Sequence, residues 1–451
     1  MEHAAEIPVS EEQTVTGRVS RAASSAFWVM FAINLFNYLD RYVLPAALSK
    51  IQNEFGLSDT QAGALSTAFL LVYAVAALPL SIWADRGVRK NVISICVAIW
   101  SGATVLSGLA TGFWTLFGSR ALVGIGEAGY YPAGTSLLSD YYPRAARARV
   151  MSKWGAGSLV GLAIGFSLGG ILAGSLGWRV AFFITGLPGL FFALLAWRMR
   201  EPVRGSADGW RRQADGDPPT QPFGPQLRLL FGTRTVVVGI LLQIFAFWVL
   251  GAAAYWLPVY LQRAFGFKEG KAGTVSGAVL VVAGLIGILL GGMLADRLTE
   301  RWASGRVLAC GITLAAAAPC FALAVAQGGF GGFLPLFFVS ALLLSMYSGP
   351  LTAVTQDVVP PGVRALVVSI TLLIGHLFGD VTSPLIVGFI SDHLGGGAHG
   401  LSRALQVTCP IMLLCAGIVG LVGSRYVGRD LARMEEQRLA QVGYVRKGSI
   451  V

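Results

Sequence analysis

RALVGIGEAGYYPA, residues 120–133, lies inside a long apolar stretch and places an arginine and a glutamate there, Arg120 and Glu127. Seven residues is nearly two turns of α-helix, so both side chains fall on one face. An ionisable group at bilayer depth is costly, and such groups face a protein interior and mark an ion or substrate path. Working outward, the first apolar segment repeats the theme with Asp40 and Arg41. Two sets of opposite charges inside one apolar bundle imply a carrier that moves protons.

The rest of the chain supplies the membrane. Its 451 residues are 55% hydrophobic and 13% charged, with a mean hydropathy of +0.66. Soluble domains carry about 25% charged residues, so this is an integral membrane protein. A crossing needs about 20 mostly apolar residues. Twelve such segments occur, near 26–48, 62–83, 92–112, 115–138, 152–175, 180–198, 235–261, 274–296, 306–326, 333–355, 366–390 and 404–424. They lack the apolar-polar alternation of membrane strands. The expected fold is therefore all-α, twelve transmembrane helices in two six-helix bundles.

An even number of crossings puts both termini on one side. Of the 34 Lys and Arg, 26 fall on that side, six on the other, and Arg41 and Arg120 inside. The positive-inside rule makes the terminus side cytoplasmic, in a plasma (inner) membrane. The net charge of +11 thus reports topology, and its dispersal over short loops argues against nucleic acid as a partner. The first 25 residues are polar and do not form a cleaved signal peptide; the first spanning helix is expected to act as the targeting signal. Cys96, Cys310, Cys320, Cys409 and Cys415 lie in or beside apolar segments without metal-type spacing, and read as packing residues. No nucleophile-base set appears either, so neither an enzyme nor a cofactor beyond the coupling proton is expected.

The longest polar interruption, about 200–225, contains Gly, Asp, Arg and Pro-Pro and reads as an exposed linker. The expected layout is a tail at 1–25, a bundle at 26–199, a linker at 200–231, a second bundle at 232–427 and a tail at 428–451. The halves echo one another. Ala84-Asp85-Arg86 follows the second segment and Ala295-Asp296-Arg297 follows the eighth; Asp140 to Arg147 ends the fourth and Asp357 to Arg364 the tenth. Such internal symmetry marks a rocking transporter with its site between the halves.

With Asp85, Arg86, Arg89 and Lys90 in place, the chain resembles the major facilitator superfamily, whose loop pattern is Gly-x-Leu-Ala-Asp-Arg-x-Gly-Arg-Lys. Ser81, Trp83 and Val88 depart from it, whereas the second copy keeps Gly292, Leu294, Ala295, Asp296 and Arg297. A narrower resemblance, to the Spinster subfamily and its bacterial homologues, rests on three patterns. They are Asn37-Tyr-Leu-Asp40-Arg41, Gly124-Ile-Gly126-Glu127-Ala128, and Gly379-Asp380 with Pro384 and Gly388-Phe-Ile-Ser-Asp392. That resemblance implies proton-linked export of lipids such as lysophospholipids and sphingoid derivatives.

Asp40 and Glu127 are the expected proton-coupling pair. Burial disfavours their charge while a nearby Arg favours it, so a proton can exchange when the cavity changes sides. Arg120, on the face of Glu127, makes Glu127 the stronger of the two; the alternative is a permanent salt bridge between the first and fourth helices. Arg41 and Arg120 offer planar donor sets for an anionic head group, or merely neutralise their carboxylates. His376 and Asp380, four apart on one face, form either a proton relay or a polar pair satisfied against a neighbour. Asn37 and Tyr38 complete the expected substrate site. Asp85, Arg86, Arg89, Asp296 and Arg297 are expected to gate the cytoplasmic mouth, as the family resemblance implies.

Gly124 to Gly129 fits G-x-G-x-x-G, but no strand precedes it, so a dinucleotide site is excluded. Those glycines, and Gly155, Gly157, Gly161, Gly165, Gly169 and Gly170, predict close helix crossings. Pro132, Pro258, Pro319, Pro350 and Pro384 predict bends. Trp248, Tyr255, Trp256 and Tyr260 are candidates to line the outer cavity, with anchoring at the bilayer interface the favoured role for the last three. Together these features predict a monomeric, proton-coupled alternating-access carrier of an amphipathic or anionic lipid-like substrate, partnered only by that small-molecule or lipid substrate and the membrane lipids. The alternatives are an organic-anion or sugar-acid symporter, a multidrug-proton antiporter, and a non-transporting membrane sensor.

Overall fold

Lipid offers no partner to backbone N–H and C=O groups, so long apolar runs satisfy themselves as helices. The structure, a computed structural model, describes residues 21–205, 207 and 223–448. Most of the expected N-terminal tail, half of the expected linker, and the last three residues lie outside that set.

The first half contains α1 (Arg21–Phe55), α2 (Asp59–Arg86), α3 (Arg89–Gly108), α4 (Phe113–Tyr141), α5 (Arg144–Ser175) and α6 (Trp178–Arg198). A short helix, α7 (Phe223–Gly232), precedes the second half. That half holds α8 (Arg234–Phe265), α9 (Glu269–Thr299), α10 (Gly305–Val325), α11 (Phe330–Ser345) and α12 (Ser348–Asp357). It closes with α13 (Arg364–Phe378), α14 (Ser383–His393) and α15 (Gly397–Gly448). The pairs α11–α12 and α13–α14 each make one crossing, giving six per half. Eleven of the crossings are long and apolar enough by composition alone. The twelfth is the 29-residue α4, which carries Arg120 and Glu127.

Two expected continuous helices are therefore broken. The segment expected at 366–390 turns at Gly379–Thr382, where the Val381 and Thr382 amides bond back to His376 and Gly379. Pro384 at the start of α14 cannot donate to a continuing helix, and Asp380 sits in the break. The tenth crossing breaks at Met346–Tyr347, two residues after buried Leu344 and three before Pro350.

Within the halves, α1 packs on α5, α2 on α4, and α10 on α15. Between them, α2 packs on α14 and α5 on α9, two seams related by the internal repeat. The seams are backbone-close: a Cβ on Gly63 would stand 2.2 Å from the Pro384 carbonyl oxygen, and one on Gly273 2.1 Å from that of Phe166. The glycines of α4 and α5 serve as expected at Gly126, against Trp100, and Gly161, against Leu35. Gly155 faces open space, and Gly170 meets Glu269 of the other half.

Both seams lie toward the far end of the bundle, opposite the near end where α1 starts. Toward the near end the seam helices part, leaving Val75 and Leu78 of α2 exposed by 69% and 70% and Leu289 of α9 by 70%.

Candidate substrate and proton site

Arg41 and Glu127 meet between α1 and α4. Arg41 Nη2 and Nε both donate to Glu127 Oε2, at 2.5 and 3.2 Å, and leave Glu127 Oε1 buried with no partner. The guanidinium carbon of Arg41 sits 5.1–5.4 Å from the ring centres of Tyr38, Phe69 and Tyr73, an aromatic collar that favours a cation. Glu127 is thus paired with Arg41 and not, as its helical face suggested, with Arg120. Seven residues place two side chains on one face, but their 10 Å of rise separates them along it.

Arg120 is itself 1% exposed, over the ring of Phe69, and its Nε and Nη1 have no acceptor among the described residues. Asp40 is equally buried, accepts from Thr104 Oγ1 at 2.6 Å, and leaves Oδ1 unpartnered. No hydrogen bond joins Asp40 to Glu127 among the described residues. The buried polar groups of this region are therefore half-satisfied: two carboxylate oxygens without donors and two guanidinium nitrogens without acceptors. A folded interior seldom leaves such groups unpaired unless something else engages them.

A cavity lies between the halves against these groups. Arg41, Arg120 and Asp380 supply its charges, and Leu44, Pro45, Phe69, Leu70, Ala254 and Pro384 most of its apolar wall. Asp380 Oδ2 lies 2.8 Å from His376 Nδ1, while Oδ1 has no partner. The His376 ring packs on Phe247, centroids 4.5 Å apart. Asn37 is buried and Tyr38 is spent on the Arg41 collar; neither joins the cavity wall.

At the far end the cavity is sealed. Tyr255 Oη donates across the halves to the Ala62 carbonyl at 2.5 Å. Beyond it, buried Asp59 accepts from Arg263 Nη1 and Nη2 at 2.9 and 2.8 Å, from Gln52 at 2.9 Å and from Ser391 at 2.6 Å. Asp392, at the end of α14, accepts from the Asp59 and Thr60 amides at 3.0 and 2.8 Å. It thereby caps the N-terminus of α2 from the opposite half, where the helix dipole favours a carboxylate. Lys50 and Glu269 add an ion pair of 3.3 Å on the other seam. This lock went unread in the sequence. Its signals were an Asp after a Ser at a helix start and an Arg in the last turn of α8, both of which also fit ordinary caps.

Tyr255, Trp256 and Tyr260 are no interfacial belt: each is 5% exposed or less. Trp256 donates to the Pro384 carbonyl at 3.1 Å and Tyr260 to that of Val325 at 3.3 Å, so their polar tips are used inside the protein. Trp248 is buried and does not line the cavity.

At the near end Asp85, Arg86, Asp296 and Arg297 are exposed and form no ion pair among the described residues. Arg89 is placed differently from these four. It is 1% exposed and bound within the first half by Asp140, Glu201 at 2.8 Å and the Ser136 carbonyl at 3.2 Å. The repeat holds here, because Arg306 pairs with Asp357 at the corresponding place in the second half. Arg147 and Arg364, each seven residues after those aspartates, donate to the carbonyls of Ser139 and Gln356.

Residues 30–379 match the family described as Major Facilitator Superfamily. The mouse protein named Protein spinster homolog 1 is 30% identical over 463 residues, covering 97% of this chain and 86% of that one. The chain belongs to the Spinster group of the major facilitator superfamily. It is similar to the zebrafish protein named Sphingosine-1-phosphate transporter SPNS2, at 28% identity over 90% of this chain and 86% of that one. A crystal structure titled as a bacterial homolog of the human lysosomal transporter Spinster, inward-facing and unoccupied, superposes with a TM-score of 0.82 at 28% identity, covering 91% and 98% of the two chains. This Spinster member is accordingly a multi-pass membrane transporter and not an enzyme.

Proposed function

We infer that the protein is a proton-coupled carrier that exports an amphipathic anion of lysophospholipid or sphingoid type by alternating access. One observation carries the reading: Arg120 presents two buried donor nitrogens without acceptors at a cavity whose other wall is largely apolar. An anionic head group satisfies the guanidinium, and a hydrocarbon chain suits Leu44, Phe69 and Leu70. A wholly polar sugar acid would leave that wall unused, and a hydrophobic cation would meet two arginines. The zebrafish sphingosine-1-phosphate transporter among its relatives and the inward-facing state of the similar crystal structure support the same reading.

Proton coupling rests on Glu127, Asp40 and Asp380, each with one carboxylate oxygen free to take a proton. Neutralising Glu127 releases Arg41 from the carboxylate it holds and frees it toward the cavity. With the near end cytoplasmic, as the basic loops require, the parted helices admit cargo from the cytoplasm while the Asp59–Arg263 lock closes the outside. No metal or other cofactor has a part in this cycle.

Reconstitution in vesicles with an imposed pH gradient tests the reading. Lysophospholipid or sphingoid phosphate should move with the gradient, and short organic anions and hydrophobic cations should not. Flux that ignores the gradient removes the coupling, and preference for a short anion removes the lipid cargo.

A further inference from the structure

A second polar cleft lies well apart from the central cavity, where α8 begins and α15 leaves the apolar bundle. It is lined by Gly232, Arg234, Tyr426, Arg429, Asp430 and Arg433. On α15 the last four fall at steps of three and four, so they share one face of the helix. The single carboxylate is already engaged. Asp430 Oδ2 accepts from the Thr235 amide at 2.8 Å and from Thr235 Oγ1 at 2.6 Å, capping the first turn of α8.

Three guanidiniums remain. That of Arg234 lies over the Tyr426 ring, 5.1 Å from its centre. Arg234, Arg429 and Arg433 form no ion pair among the described residues, although Glu435 and Glu436 follow on the same helix. Like charges four apart on a helix repel, so Arg429 and Arg433 side by side are a cost without a counter-anion. Three converging guanidiniums match the oxygens of a phosphate.

Lipid, and not a soluble anion, is indicated by what lies next to the cleft. Just toward the bilayer on α15, Ile418, Leu421 and Val422 are 59%, 39% and 46% exposed, and Leu241 of α8 is 37% exposed. A head group in the cleft would lay its acyl chains along that apolar strip. We propose that the α8–α15 cleft binds the phosphate of an anionic membrane phospholipid, a site separate from the transport cavity. Basic pockets at the ends of transmembrane helices recognise such head groups through the same chemistry.

The test uses the full chain in detergent, titrated with phosphatidylglycerol, phosphatidylcholine or inorganic phosphate and followed by native mass spectrometry. One phosphatidylglycerol should be retained in preference to phosphatidylcholine. Arg429→Gln/Arg433→Gln should weaken its retention roughly tenfold or more, given the strength of charged hydrogen bonds. Arg198→Gln/Arg301→Gln, which removes the same charge elsewhere on the surface, and Arg120→Gln, which alters the central cavity, should leave it unchanged. If the double variant does not fold, the single changes Arg429→Gln and Arg433→Gln should each weaken retention severalfold. Equal retention in the cleft variants, equal retention of phosphatidylcholine, or loss in Arg120→Gln would overturn the site. Displacement of the lipid by millimolar inorganic phosphate would make it a free-anion site and overturn the lipid assignment.

Discussion

Glu127 gives one carboxylate oxygen to Arg41 and keeps the other unpartnered, which is the arrangement a reversible proton site requires. Glu127→Gln is expected to abolish pH-driven flux in vesicles while substrate-exchange flux and folding persist. Unchanged pH dependence would sink the assignment of coupling to this residue. Arg41→Met strands a buried carboxylate, and losing one partner of a buried pair costs about 3–5 kcal/mol. Thermal unfolding in detergent should show a large drop for Arg41→Met and recovery of most of it in Arg41→Met/Glu127→Gln, since the double change leaves no unpaired charge. Arg120→Gln should weaken binding of an anionic lipid roughly tenfold or more with little loss of stability, because Arg120 Nε and Nη1 hold no protein partner to lose. The identity of these residues was legible in the sequence, because charge inside an apolar run is conspicuous. Their pairing was not. Glu127 chose Arg41, 86 positions away, over Arg120 on its own helix, a choice made by the crossing of α1 and α4.

Elements set how the halves can move. The α2–α14 seam depends on bare backbone, and Gly63 leaves no room for a side chain against Pro384. Gly63→Val should pry the far end open at a cost of about 1–3 kcal/mol or more, as overpacking does in a close-packed core. Labelling of a cysteine introduced in the central cavity wall, at Ser66, by a reagent added on the far-end side should then quicken; unchanged labelling would show that the seam yields elsewhere. The broken crossing at Gly379–Thr382 is likewise an element-scale feature. It puts Asp380 at the cavity wall and lets α14 reach Asp59 with Asp392. Glycine followed by Asp, Ser and Pro hinted at the break, yet the apolar run around it read as one helix because composition outweighs four polar residues in a window of that length.

At the scale of the whole molecule, the far end is held closed by polar contacts between the halves. Asp59 with its four donors, and Asp392 on the α2 terminus, lock the far end, while the near-end charges stand apart. Arg263→Gln removes both guanidinium bonds to Asp59, and each 1.4 kcal/mol so lost shifts the balance about tenfold. Spin labels at Asn53 of α1 and Thr274 of α9 should report a longer far-end distance in Arg263→Gln than in the parent; an unchanged distance distribution would show that the lock does not set the state.

Local chemistry alone determined the twelve crossings and the set of residues with a charge to use. Each follows from the cost of placing a polar group in hydrocarbon, which every residue meets for itself. The partner of Glu127, the turn that exposes Asp380, the inward use of Tyr255 and Trp256, and the far-end lock were decided only by tertiary structure. Those depend on which helices cross within a few ångströms, a property of the packed bundle that no single helix carries.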